Sequence, residues 1–117
     1  MTIYQRMAQV FRDAEIPGFL QEWMATDEYP VIPDKYAAYL VEQESTALSA
    51  DDDEYVRVYR VWVDLYGMCD ISAELDALRA ALKAAGFLIP YVRDLDNAGL
   101  SRYQYHRRMR VDYYEYL

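Results

Sequence analysis

The sequence has 117 residues, a formal net charge of −8 and a hydrophobic fraction of 54%, which together indicate one small folded domain. Its acidic balance disfavours specific or general binding to nucleic acid, whose phosphates carry the same sign of charge. No apolar run approaches the roughly 20 residues that span a bilayer, and no signal peptide is recognisable, so we expect no membrane association.

The first predicted element is a helix in the segment "MTIYQRMAQVFRDAEIPG". Thr2 and Gln5 have the spacing of a capping box, apolar residues recur at helical spacing, and a Pro-Gly pair ends the helix. The segment that follows, up to residue 34, is predicted to be an irregular connection. Its two prolines disfavour regular structure, which leaves room only for a short helical turn near residues 20–24.

Two strands are predicted next, in "YAAYLVEQES" and "YVRVYRVWVDLYG", and they are joined by the polar segment "TALSADDDE". Alternation along the second strand places apolar side chains on both of its faces. This is typical of a strand that is covered by a helix on one face and by another layer on the other.

A second helix is predicted over residues 72–85, with Ser72 as its N-cap and Gly86 as a left-handed C-cap. Phe87 is expected to fold back on Leu82, as in a Schellman motif. The segment "FLIPYVRDLD" is predicted to be an edge strand, because Pro90 cannot donate a backbone hydrogen bond. A turn in "DNAG" then leads into the closing strand, which lies in "YQYHRRMRVDYYEY".

These elements predict a single α+β domain, residues 1–117, with the order α-β-β-α-β-β. Residues 1–34 would form the first helix and the connection. Residues 35–117 would form a mostly antiparallel four-stranded sheet, packed by the helix at residues 72–85. A closing strand over residues 103–116 would measure roughly 45 Å. Because a domain of this size spans only roughly 35 Å, we expect the hairpin to bend or to project.

The residue types that carry chemistry do not assemble into a catalytic or metal site. Asp51, Asp52 and Asp53 lie in the densest carboxylate cluster, but the ligand alternation of a calcium loop is absent, and we interpret them as a solvated loop. His106, the only histidine, is expected to be a solvated or hydrogen-bonded strand residue, and Cys69 a half-buried free thiol in a reducing cytoplasm. We therefore predict no enzymatic activity, no metal and no cofactor.

The closing strand is instead predicted to carry a protein-contact surface. The chain has 13 tyrosines against three phenylalanines, and tyrosine suits half-buried contact surfaces. Arginines on the charged face of this strand could pair with Asp64 of a neighbouring strand or with another subunit. The candidate subunit or partner interface comprises Asp51, Asp52, Asp53, Arg108, Arg110, Tyr114 and Tyr116.

Four segments occur in an order that points to one family: "PDKYAAYLVEQES", "ADDDEYVRVYRVWVDLYG", "AELDALRAALKAAGF" and "GLSRYQYHRRMRVDYYEY". The first carries the Y-x-x-Y pair Tyr36 and Tyr39, the second ends in an aliphatic-Asp-Leu-Tyr run at residues 63–66, and the third ends in L-x-x-x-G-F. Over residues 30–117 this order resembles the tail-terminator proteins of long-tailed phages and prophages, which complete the tail and join it to the head.

The resemblance implies a structural virion protein. Its copies would form a homo-oligomeric ring, usually a hexamer, that caps the tail tube, stops its polymerisation and meets the head-side connector. Its partners would be itself and the tail-tube and connector proteins, in the virion and in the host cytoplasm during assembly. The residues also leave open a small acidic interaction domain, such as a DNA-mimic inhibitor, although the carboxylates are scattered among arginines rather than aligned.

Overall fold

The computed structural model describes residues 1–50, 53–96 and 103–116, with side chains except at 47–50, 53–55 and 94–96. Two helices and five strands follow one another in the order helix, three strands, helix, two strands. They are α1 (Ile3–Ala14), β1 (Gly18–Leu20), β2 (Lys35–Ala50), β3 (Asp53–Gly67), α2 (Ser72–Ala84), β4 (Leu88–Asp96) and β5 (Tyr105–Tyr116). No helix in these described ranges is long and apolar enough to cross a membrane.

The strands form one mixed sheet in the order β1-β2-β3-β5-β4, with β1 parallel to β2 and every other pair antiparallel. The prediction of a small α+β domain is confirmed, but the predicted four-stranded sheet and its element order are wrong because β1 adds a fifth strand. The backbone N–H of Gln21 donates to the carbonyl of Tyr39 (2.7 Å) and extends this short pairing. The helical turn predicted near residues 20–24 is also wrong, since β1 reaches Leu20 and Gln21 has a φ of 68°.

Local sequence signals fix the ends of both helices. The capping box of α1 is confirmed, because Thr2 and Gln5 exchange side-chain-to-backbone bonds of 2.8 and 3.1 Å. At the end of α2, Gly86 has a φ of 91° and Phe87 N–H donates to the carbonyl of Leu82, as predicted.

The start of α2 differs from the prediction. Ile71 occupies the N-cap position without a side-chain bond, so Ser72 is the first helical residue and not the cap. The Asp70 carboxylate accepts bonds from the Ser72 backbone N–H (2.9 Å) and hydroxyl (2.6 Å). The capping group therefore lies two residues earlier than the sequence suggested.

The core lies between the two helices and one face of the sheet. The buried stripes of α1 and α2 share one cluster with alternate residues of β2, β3 and β5. Completely buried members of the cluster are Met7, Val10, Val61, Val63, Leu65, Leu78, Leu82, Met109 and Val111.

The other face of the sheet, called the open face below, has no helix over it in the described part of the chain. Its end near Tyr36 is covered by Tyr103 and the segment around Pro33. In the described part of the chain, the second face of β3 is shielded by side chains of its neighbouring strands, and Val56 and Val58 are buried there. The residues of this face used below are Tyr36, Ala38, Leu40, Arg60, Trp62, Asp64, Tyr66, Tyr91, Arg93, His106, Arg108, Arg110, Asp112, Tyr114 and Tyr116.

The molecule is elongated, with principal extents of 53 × 30 × 23 Å. The β2–β3 hairpin runs from the Lys35–Gly67 pair to the Ala50–Asp53 pair, and β5 accompanies it only as far as Val56. β4 ends its pairing earlier still, opposite Asp112. The far end of the β2–β3 hairpin therefore projects beyond β5, whereas the expectation from strand length concerned the hairpin that contains the closing strand.

Candidate interaction surface

Three aromatic rings stack across the open face on three neighbouring strands. Tyr36, Tyr66 and His106 face one another in the strand register. The ring centroids of Tyr36 and Tyr66 lie 5.1 Å apart, and those of Tyr66 and His106 lie 4.2 Å apart, with interplanar angles of 22° and 23°. Tyr103 meets the Tyr36 ring edge-on, and its hydroxyl donates to the carbonyl of Pro33 (2.6 Å). Such ring pairs each stabilise a fold by about 0.5–1.5 kcal/mol beyond area burial, so this part of the face is rigid.

The tyrosines of the stack are neutral at physiological pH. Burial raises the pKa of Tyr36 to about 12, with further contributions from Tyr66 and Tyr103. Burial also raises the pKa of Tyr66, and the nearby Asp64 carboxylate adds to that rise. The hydroxyl groups therefore act as neutral donors and acceptors.

A carboxylate at the centre of the open face holds two basic side chains. Asp64 Oδ1 lies 2.7 Å from His106 Nε2 and accepts a bond from Arg108 Nε at 2.8 Å. Burial would raise the pKa of Asp64, but the hydrogen bonds from His106 and Arg108 outweigh it and lower that pKa below its usual value. Because an ionised carboxylate only accepts hydrogen bonds, His106 Nε2 carries a proton. His106 is 7% exposed, so the expectation of a hydrogen-bonded strand residue is confirmed.

The predicted pairing of an arginine with Asp64 is also confirmed, and it orients Arg108. The hydrogen bond that Arg108 Nε donates to the Asp64 carboxylate raises the pKa of Arg108 and fixes the position of this nitrogen. The guanidinium group lies over the Trp62 ring, 5.5 Å from its centroid, and Trp62 meets Tyr91 edge-on at 5.9 Å. The Trp62–Arg108–Tyr91 group therefore presents a positioned cation over one ring of an edge-to-face aromatic pair.

A shallow depression of about 680 Å³ lies beside this group. Ala38, Leu40 and Glu42 are among its lining residues, and Leu40 is 45% exposed. The depression gives the open face a concave region beside Arg108.

The predicted interface residues divide into two groups. Arg108, Arg110, Tyr114 and Tyr116 alternate along β5 and share the open face. Arg110 donates to Asp112 (3.1 Å), while the two tyrosines are 41% and 81% exposed.

The acidic half of the predicted interface lies elsewhere. Asp51 and Asp52 are outside the described residues, and Asp53 is the first residue of β3, with its side chain also outside them. Trp62 of β3 is the register partner of Arg110, and Asp53 lies nine residues before Trp62 on the same strand. Nine residues of extended strand measure about 30 Å. The acidic and basic halves are therefore far apart within one chain.

Sequence reasoning did not include Trp62, Tyr91 and Arg93 in the predicted surface. Trp62 was assigned to the correct face of its strand, but its partners depend on strand order. A β-bulge between Leu88 and Tyr91 determines which side chains of β4 join the open face.

Other chemical candidates do not form a site. Cys69 is exposed, so the half-buried thiol expected from sequence is wrong; the thiol lies in the connection between β3 and α2. Within the residues whose positions are described, no group of three metal-ligating side chains occurs. The suggested cluster at Asp51 and Asp52 falls outside that range.

No protein-family model matches the sequence, and no curated protein matches it. Its function is therefore inferred from the surface and from the order of its sequence motifs.

Proposed function

We propose that this protein is a self-assembling structural component of a phage or prophage tail, similar to tail terminators. Copies would form a ring that caps the tail tube and meets the head-side connector. The single observation that carries the proposal is the uncovered aromatic–arginine face, whose side chains are already fixed by Asp64 and by ring stacking.

The composition of this face is that of a protein-contact surface. Trp, Tyr and Arg are the residue types that contribute most binding free energy at interfaces. Trp62, Tyr91 and Arg108 are held by one another and by Asp64, so little side-chain entropy remains to be lost on binding. A rigid and partly exposed group of this kind favours association with another protein.

The elongated shape suits a ring. A ring forms when one patch of each subunit binds a different patch on the next subunit. The open face supplies one patch, and the end of the β2–β3 hairpin that projects beyond the Val56–Tyr116 pair supplies another.

The face does not favour the alternative of a DNA mimic. A mimic needs carboxylates in rows that imitate phosphates. Among the side chains that the structure describes on β3, β4 and β5, the open face instead carries four arginines and two aspartates, and one aspartate is bonded to two basic side chains.

The test is a capping assay with polymerising tail-tube protein. The purified protein is added during polymerisation, and tube lengths and ends are examined by electron microscopy. The proposal expects shorter tubes with a ring-shaped density at one end. Heat-unfolded protein at the same concentration is the control, and tubes of unchanged length with bare ends would contradict the proposal.

A further inference from the structure

The connection at residues 21–34 carries an ordered turn at the β1 edge of the sheet. The Thr26 N–H donates to the Tyr29 carbonyl (3.0 Å), and the Tyr29 N–H donates to the Thr26 hydroxyl (2.9 Å), so these two residues close the turn. The Tyr29 ring meets Phe19 of β1 edge-on at 5.8 Å. The 26–29 turn is therefore held against the first strand.

The surface around the 26–29 turn is acidic and partly apolar. Residues 21–34 contain four carboxylates and no lysine or arginine. All four are exposed, and they are Glu22, Asp27, Glu28 and Asp34. Met24 and Val31 lie two residues outside the turn on either side and are 64% and 72% exposed. Arg12 and Glu15 line the depression beside Glu28 and offset each other in charge, so the surface remains acidic.

The opposite edge of the sheet presents apolar side chains around an arginine. Leu88 is the register partner of Asp112, and it shares the open face with Tyr91 and the exposed Arg93. Leu88 is 58% and Tyr91 37% exposed. Pro90 and the bulge between Leu88 and Tyr91 interrupt the backbone edge of β4, so contacts there use side chains rather than strand pairing.

Arg93 is a cation without a partner. It is the register partner of Arg108, which Asp64 neutralises, whereas no hydrogen bond or ion pair engages Arg93 in the described part of the chain. Opposed like charges destabilise a sheet, and an incoming carboxylate would relieve that cost.

The excess of positive charge is confined to this edge. The described side chains of the open face as a whole are nearly balanced, with four arginines against Asp64, Asp112 and Glu42. Glu42 lies on β2, three strand spacings or about 14 Å from β4. Strand positions 94 and 96, both aspartates, alternate with position 93 and therefore belong to the helix-covered face. A carboxylate that approaches Arg93 from outside the sheet edge thus meets a cation first.

We propose that the 26–29 turn of one copy docks on the β4 edge of the next copy, with Asp27 facing Arg93 and exposed apolar side chains packing around this pair. The strand order places β1 and β4 four spacings apart, or about 19 Å, so the two surfaces do not meet within one chain. Because they lie at opposite edges, the contact is head-to-tail and repeats from copy to copy. It rests on the proposed self-assembly and makes residues 21–34, rather than the hairpin end, the second patch of the ring.

The experiment exchanges the two charges and follows self-association of the full chain by sedimentation equilibrium. Asp27→Arg and Arg93→Asp each bring like charges together, whereas the double variant that combines them restores opposite charges at every contact. The controls Asp76→Arg and Lys83→Asp make the matching charge changes at exposed positions of α2. Circular dichroism checks that each variant is folded, and Arg93→Gln removes the cation without reversing its charge.

Each single interface variant is expected to weaken self-association about tenfold or more, since like charges then meet. Arg93→Gln is expected to weaken it less than Arg93→Asp. The double variant, an equimolar mixture of the two single variants, and both controls are expected to associate like the wild type. Wild-type association is also expected to weaken from about 0.05 to about 0.5 M salt, as screening requires.

Three results would overturn the inference. They are single variants that associate like the wild type, a double variant as weak as the single ones, and a wild-type chain that stays monomeric at every concentration. If Arg93→Asp associates normally but no longer binds tail-tube protein, the β4 edge belongs to that partner instead. Tube capping that survives any of these results would leave the proposed function intact, which separates the two failures.

Discussion

Replacement of Asp64 by alanine removes the acceptor that holds two side chains in place. His106 is 7% exposed, so its N–H would lose a buried partner, which costs about 1–3 kcal/mol. The Arg108 side chain is 42% exposed, so water would replace most of the interaction that it loses with Asp64. The loss of this ion pair therefore adds only about 0.5–1 kcal/mol to the cost. Asp64→Ala should therefore lower the free energy of unfolding by about 1.5–4 kcal/mol.

Urea unfolding followed by circular dichroism measures this change at pH 7. Asp76→Ala, which removes an exposed carboxylate on α2, is the control and should change stability by less than about 0.5 kcal/mol.

The direction of the Asp64 pKa shift determines how its contribution to stability changes with pH. Since the folded-state pKa of Asp64 is lowered, its contribution is present above the unfolded pKa of about 3.9 and is lost as pH falls through the folded value. The difference in free energy of unfolding between the wild type and Asp64→Ala should thus become smaller as the pH is lowered. A difference in this free energy below about 0.5 kcal/mol at pH 7, or one that grows towards pH 3, would refute the reasoning.

Three further predictions address the stack, the exposed tyrosines and the packing of α1. Because burial raises the pKa of Tyr36 to about 12, the neutral side chain should stabilise the fold below pH 10, and this contribution should be lost between pH 10 and about pH 12. In urea unfolding, the free energy of unfolding of Tyr36→Phe should therefore fall less steeply with pH over this range than that of the wild type. Equal slopes for the two proteins would contradict the prediction. Replacing both Tyr114 and Tyr116 by serine should leave the circular dichroism spectrum unchanged but weaken assembly in light scattering, whereas an unfolded variant would place both rings in the core. Gly18→Ala should destabilise the fold by about 1–3 kcal/mol in thermal unfolding, because a Cβ there would lie 2.2 Å from the Phe11 ring; an unchanged melting temperature would show that the ring moves away.

The helix ends were predictable because their signals are local. The capping box of Thr2 and Gln5 and the left-handed Gly86 each involve residues within one or two turns. The extra strand β1 was not predictable, because three residues are too short for alternation and depend on the register with β2. The Ser72 cap was wrong because the helix starts at Ser72, whose own backbone N–H is accepted by the Asp70 carboxylate.

The open face was predictable only in part. Alternation placed Arg108 on the same strand face as Arg110, and it made Asp64 a possible partner. The contribution of β4 could not be read from sequence, because β4 joins β5 with a bulge after Leu88 that sets the face of Tyr91 and Arg93. Strand order and bulges are decided by packing of the whole sheet, which no short segment encodes.

The mass of the purified protein over a wide concentration range, measured by light scattering, tests self-assembly through the open face most directly. The account predicts one discrete species near six times the 13.8 kDa chain mass, which dissociates as salt rises. A strict monomer at every concentration and salt would contradict it, because the fixed aromatic–arginine face would then serve no contact between copies.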